Sequence, residues 1–119
     1  MTCVFVYGTL KRGCRNHQFL GGQQFLGEAR TPPGFTLYSL GPYPGMARDN
    51  SDTAGVTGEV WAVDANSLEK LDELEGVNQG LYERVPVKLL PPFADESVET
   101  YLYLRSLTGR TLLGSDWVE

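Results

Sequence analysis

Histidine and cysteine are almost missing from this chain: its 119 residues include one histidine, His17, and two cysteines, Cys3 and Cys14. A single imidazole makes a Ser-His-Asp triad, a Cys-His pair or a multi-histidine metal site hard to assemble. The two cysteines match neither a CxxC redox pair nor a zinc spacing. They read as thiols of a reducing compartment, so a cytoplasmic location is expected. Positive charge is also short, with 10 Lys and Arg against 15 Asp and Glu and a net charge of −5. That balance disfavours a surface that tracks phosphates and supplies no polybasic membrane patch, so neither nucleic acid nor membrane is an expected partner. The longest unbroken apolar run, Cys3 to Tyr7, falls far short of the ~20 residues that span a bilayer, and no secretory leader is expected. Carboxylates, tyrosines, backbone groups and the substrate itself are left to carry any chemistry.

A chain of this length is expected to form one domain. Strand-like composition bounded by Gly or Pro occurs at Cys3–Tyr7, Phe35–Leu40, Val56–Val63, Tyr82–Leu89 and Val98–Leu104. Gly58 reads as a bulge or a close backbone approach, and Pro86 argues for an edge strand. One helix is predicted over Ser67–Glu75, with Asn66 as its cap, Glu69 three residues on, and Gly76 in the left-handed position past its end. A weaker helical turn fits Asn16–Leu20. The fold class is therefore α+β, on a curled, mixed or mostly antiparallel sheet that closure into a small barrel would rid of edges.

The helix carries one acid on its apolar side. At about 100° per residue, Leu68, Leu71 and Leu74 define the buried stripe, and Glu75 falls between Leu68 and Leu71. Glu69, Lys70 and Glu73 point away, and Asp72 lies at the margin. Burial and the negative end of a helix both disfavour a charged carboxylate, which would move Glu75 toward a pKa suited to proton transfer at neutral pH. The same position also fits a frayed last residue that turns to water or pairs with Arg84, and periodicity leaves both readings open.

After the first strand, Tyr7-Gly8-Thr9-Leu10-Lys11-Arg12-Gly13 is a glycine turn running into a basic loop. Gly8 and Gly13 have the spacing of a phosphate-binding loop, but Cys14-Arg15 stands where Lys-Ser or Lys-Thr is needed, so nucleotide binding is rejected. The turn's N–H groups, freed from the sheet beyond Tyr7, could form an anion-binding nest, or the turn could be an ordinary connection. Among Tyr7, Tyr38, Tyr43, Tyr82, Tyr101 and Tyr103, Tyr43 in its Gly-Pro-Tyr-Pro-Gly cluster is the best placed to line a pocket.

Taken in order, Tyr7 to Gly13, Asn16-His17, Tyr43-Pro44-Gly45, Gly58-Glu59-Val60-Trp61-Ala62-Val63-Asp64, Leu71-Asp72-Glu73-Leu74-Glu75-Gly76 and Tyr82-Glu83-Arg84 closely resemble the γ-glutamylcyclotransferase-like family, nearest its γ-glutamylamine cyclotransferase branch. The resemblance implies a small mixed β-barrel flanked by helices, and a reaction without cofactor that releases 5-oxoproline and a free amine from a small γ-glutamyl compound. It makes Glu75 the catalytic acid and base, with Tyr7, Gly8, Thr9 and Leu10 as the floor of the substrate cavity; Tyr43 and Tyr82 complete the expected substrate-binding set. The segment after Arg105, with Gly109, Gly114 and Trp117, departs from the family pattern and is expected to close the cavity differently. Two other readings stand beside the enzyme: a module that binds a small zwitterion in the same cavity without converting it, and a structural domain that uses Trp61, Trp117 and exposed tyrosines as an interface. The leaving amine and the oligomeric state stay open.

Overall fold

A computed structural model describes all 119 residues. Eight strands form: β1 (Thr2–Val6), β2 (Gln24–Arg30), β3 (Phe35–Ser39), β4 (Pro44–Arg48), β5 (Thr57–Val63), β6 (Tyr82–Val87), β7 (Val98–Tyr103) and β8 (Thr111–Gly114). A single α-helix, α1 (Ala65–Leu74), lies between β5 and β6, with short 3-10 turns at His17–Leu20 and Val77–Gln79. The strands are divided between a sheet of order β2-β5-β1-β7-β6 and a smaller one of order β4-β3-β8. All pairings are antiparallel except that of β1 with β7.

Side-chain alternation along β1 explains the layering. Val4 and Val6 enter one apolar cluster with Trp61, Val63, Leu71 and Tyr82, on the face that α1 covers. Phe5 and Tyr7 point the other way, into a second cluster with Leu37 and Met46 of the small sheet. The centre of the large sheet is thus buried on both faces, which accounts for the nearly continuous apolar character of β1 and β5.

The fold is the expected mixed α+β one, but the two sheets meet by packing and do not close through one continuous ladder. At Gly45 a Cβ would come within 2.9 Å of Tyr103 Cβ, so the β4 backbone lies directly on the end of β7. Gly58 is a close approach: a Cβ there would sit 2.4 Å from the Val6 carbonyl oxygen. The bulge falls on its partner β2, between Phe25 and Gly27. Pro86 sits on the edge strand β6, where its missing N–H costs no ladder bond.

Three strands escaped the sequence reading. Strand β2 is interrupted at Gly27 and largely exposed; β4 opens on Pro44-Gly45, which reads as a turn; β8 is short and exposed. The cap of α1 also differs from expectation. Asp64, not Asn66, accepts the Ser67 N–H at 2.7 Å, because the helix begins at Ala65, three residues before its apolar stripe. Gly76 does take the left-handed conformation, with φ of 65°, and turns the chain sharply after Glu75.

Candidate active site

A cavity of about 180 Å³ opens where the end of β1, the end of α1 and the start of β6 converge. Glu75, Tyr7, Gly8, Thr9, Leu10, Tyr43 and Tyr82 all line it, drawn together from four separate stretches of sequence. Asn16, Pro44, Leu74, Leu81 and Tyr101 also line it; the sequence assigned none of them to the site. Tyr101 had a signal, since its neighbour Leu102 belongs to the opposite cluster and alternation sends the tyrosine to the α1 side. Nothing after Tyr101 lines the cavity, so the expectation that the final segment closes it fails.

The last helical turn presents Glu75. Its N–H still donates to the Leu71 carbonyl at 2.9 Å, while Gly76 directs the following chain away. Arg84, the candidate partner, is occupied elsewhere: its Nε donates to Asp72 Oδ1 at 3.0 Å and its Nη1 to Glu99 Oε1 at 2.8 Å. The Glu75 carboxylate is left without an ion pair or hydrogen bond, and no unpartnered side-chain oxygen is sealed inside the protein, so it opens on the cavity. Burial first, and the neighbouring Asp72 carboxylate second, raise its pKa to about 7.

Around Glu75 the tyrosine protons are already committed. Tyr7 donates its hydroxyl to the Tyr101 carbonyl at 2.7 Å, Tyr82 to the Pro44 carbonyl at 2.7 Å, and Tyr101 to Asp72 Oδ1 at 2.7 Å. Carbonyls and carboxylates only accept, so each direction is fixed; the Tyr7 oxygen also accepts the Met46 N–H at 3.2 Å, and what the Tyr82 and Tyr101 oxygens can still offer is lone pairs. Burial holds all three hydroxyls above their ordinary range, with the Glu75 charge adding to it, so they stay protonated. This wall accepts hydrogen bonds and favours a cation.

The turn after β1 brings uncommitted donors to the cavity lining. None of the N–H groups of Gly8, Thr9 and Leu10 is taken by a protein acceptor. The turn is fixed from behind by its neighbours. Asn16 donates through its backbone N–H to the Thr9 carbonyl at 2.9 Å and through Nδ2 to the Thr9 hydroxyl at 3.0 Å. His17 Nδ1–H donates to the Leu10 carbonyl at 3.0 Å, so the lone histidine holds the loop and does not enter the cavity. Glu59 receives the Arg12 N–H, Arg12 Nε and Trp61 Nε1. Burial alone would raise the Glu59 carboxyl, but these hydrogen bonds together hold it below its usual value. Lys11 is tied to the Trp117 carbonyl at 2.7 Å and to Asp116 at 3.3 Å, so the final segment buckles the outside of the same loop.

Trp61 is buried at 6 % exposure in the α1-side cluster, which leaves it no part in an outer interface. Cys3 and Cys14 are unpaired. No helix is long and apolar enough to cross a membrane.

Residues 4–119 match the family described as gamma-glutamyl cyclotransferase, AIG2-like. A Vibrio cholerae protein is 38% identical over 117 residues, covering 98% of this chain and 95% of its own. The gamma-glutamylcyclotransferase family protein YtfP of Escherichia coli is 34% identical over 117 residues, covering 98% of this chain and 96% of its own. Among solved structures, an AIG2-like protein from Mus musculus superposes with a TM-score of 0.72 at 30% identity, over 89% of this chain and 78% of that one. The solution structure of Escherichia coli YtfP gives 0.71 at 33% identity, over 98% and 95%. The fold is one that proteins of the gamma-glutamyl cyclotransferase, AIG2-like kind share. The chain belongs to the gamma-glutamyl cyclotransferase, AIG2-like family.

Proposed function

We propose that the protein is a cyclotransferase that needs no cofactor and converts a γ-glutamyl amine or γ-glutamyl peptide into 5-oxoproline and a free amine, with Glu75 as general acid and base. The observation that carries this reading is the unpaired carboxylate at the acceptor wall of a cavity whose lining also offers free N–H donors. A γ-glutamyl unit fits that polarity, with an α-ammonium for the acceptors and a γ-carbonyl oxygen three carbons away for the donors.

The substrate brings its own nucleophile, so no protein nucleophile is required. Its α-amino group has a pKa near 8 and is mostly protonated at neutral pH. Glu75, poised at about 7, takes that proton. The freed nitrogen attacks the γ-carbonyl carbon and closes the five-membered lactam. The bond from that carbon to the leaving nitrogen then breaks as Glu75 returns the first proton there. The ring nitrogen still carries one proton more than a lactam holds; Glu75 takes this second proton and passes it to the departing amine, which leaves as an ammonium, so the atoms balance without added water. Proton transfer of this kind contributes typically about 10²–10⁴-fold. Confining the glutamyl chain near its ring-closing rotamer, and N–H donors from Gly8 to Leu10 on the developing oxyanion, supply the larger share.

The test is to incubate the protein with a panel of γ-glutamyl amines and dipeptides and measure 5-oxoproline. The wild type is expected to release it from at least one compound, and Glu75→Gln is expected to fold and to lose that release. Near-normal turnover by Glu75→Gln removes the residue from the mechanism. Protection of the fold by these compounds without product assigns the cavity to binding alone.

A further inference from the structure

Behind Glu75 lies a second carboxylate that the mechanism has not used. Asp72, one turn back on α1, is where three elements meet: Arg84 of β6 donates to it through Nε at 3.0 Å and Nη2 at 3.2 Å, and Tyr101 of β7 donates through its hydroxyl at 2.7 Å. Arg84 is in turn fixed by Glu99 of β7 at 2.8 Å. This arrangement exceeds what holding a helix on a sheet requires, because one of its members, Tyr101, lines the cavity. With no acceptor beneath it, the Tyr101 proton would be free to turn into the cavity and oppose a cation there.

We propose that Asp72 is a positioning residue for the reaction: by taking the Tyr101 hydroxyl proton it turns the lone pairs of that oxygen toward the cavity, where they and Glu75 together receive the substrate's ammonium group. The inference rests on the cyclotransferase reading above. Arg84 holds Asp72 in the orientation this needs.

The titratable groups packed around Glu75 are Asp72 on its own helix, Tyr7 of β1, Tyr82 of β6, Tyr101 of β7 and Tyr43 of the loop before β4, with Arg84 behind Asp72. Tyr7, Tyr82 and Tyr101 are all held above their ordinary range, so Asp72 is the negative neighbour whose removal Glu75 feels.

Asp72→Ala, Asp72→Asn, Tyr101→Phe and the double variant Asp72→Ala/Tyr101→Phe are compared with wild type by kcat and KM for 5-oxoproline release across pH, using whichever panel compound the wild type turns over. Losing one hydrogen bond to a charged group is expected to raise KM about tenfold in Tyr101→Phe and in Asp72→Ala. The double variant is expected to be no worse than either single one, because both remove the same interaction. Asparagine best serves Arg84 Nε and the Tyr101 hydroxyl by keeping its oxygen where Oδ1 stands, so Asp72→Asn is expected to restore KM. Both Asp72 substitutions are expected to move the acidic limb of kcat/KM to lower pH, and Tyr101→Phe to leave it in place.

Additive effects in the double variant, or wild-type KM and limb in the Asp72 variants, overturn the proposal. A role in stability alone would lower melting temperature and the active fraction without moving KM or the limb. If Asp72→Ala does not fold, KM decides: a raised KM in Tyr101→Phe beside a near wild-type KM in Asp72→Asn supports the proposal, and a wild-type KM in Tyr101→Phe overturns it. A wild type that releases no 5-oxoproline from any panel compound overturns the cyclotransferase reading, and this inference with it.

Discussion

At the scale of single residues, Glu75 combines two properties that rarely coincide: it is largely enclosed, and it has no partner. An enclosed carboxylate raised to about 7 weakens the fold wherever it must be charged. Its stabilising contribution is complete below the unfolded carboxyl value, and is lost as pH rises through the folded one. Glu75→Gln is therefore expected to melt higher than wild type above pH 7, by roughly 1–3 kcal/mol once water reaching the carboxylate through the cavity is allowed for, with the difference vanishing in acid. Thermal melts of the two proteins at both ends of that range check it. The three leucines marked Glu75 as an acid on the apolar side but left a frayed residue paired with Arg84 equally open, a choice that depends on Arg84 being held by Asp72 and Glu99 in the folded chain. The directions of the tyrosine protons were not legible either, since they depend on the carbonyls of Tyr101 and Pro44, which only the folded chain brings near Tyr7 and Tyr82.

At the scale of elements, α1 and the turn after β1 form two walls of the cavity. Helix α1 is anchored by Leu71, which is fully buried, with Leu68 and Leu74 packed against the same cluster. Leu71→Ala is expected to cost about 2–5 kcal/mol and to lower activity through loss of folded protein, measurable by denaturant titration. The turn has a different vulnerability. A Cβ at Gly8 would stand 2.8 Å from Pro44 Cγ, so any side chain there pushes the turn away from the loop that carries Tyr43. Gly8→Val is expected to lose most 5-oxoproline release while the protein stays folded, and unchanged kinetics would remove the turn from the site. The strand and helix content around these walls was legible because β1, β5 and α1 follow their apolar periods. The start of α1 was misplaced because Asp64 and Asn66 are both good caps, and the Gln23 side chain that hydrogen-bonds Asp64 comes from a distant part of the chain.

At the scale of the whole molecule, the site exists because β1 is buried on both faces and ends in the middle of the large sheet. Its neighbours β5 and β7 are contributed by distant parts of the chain, and β7 brings Tyr101 to the cavity that the turn after β1 begins. The ordered motifs made this assembly legible as a family. They did not reveal that the strands divide into two sheets, because β4 and β8 are short, and proline and glycine in β4 mimic a turn. Nor did they reveal that the final segment braces the loop through Lys11, leaving the cavity mouth free of it.

The central claim is that one carboxyl moves the proton of the substrate's ammonium group. The pH dependence of kcat/KM for 5-oxoproline release, measured on wild type and Glu75→Gln, tests it most directly. The account predicts a wild-type acidic limb near the Glu75 value of about 7 and no measurable release from the variant. A variant that retains wild-type turnover, or a wild-type profile flat through neutral pH, would contradict it.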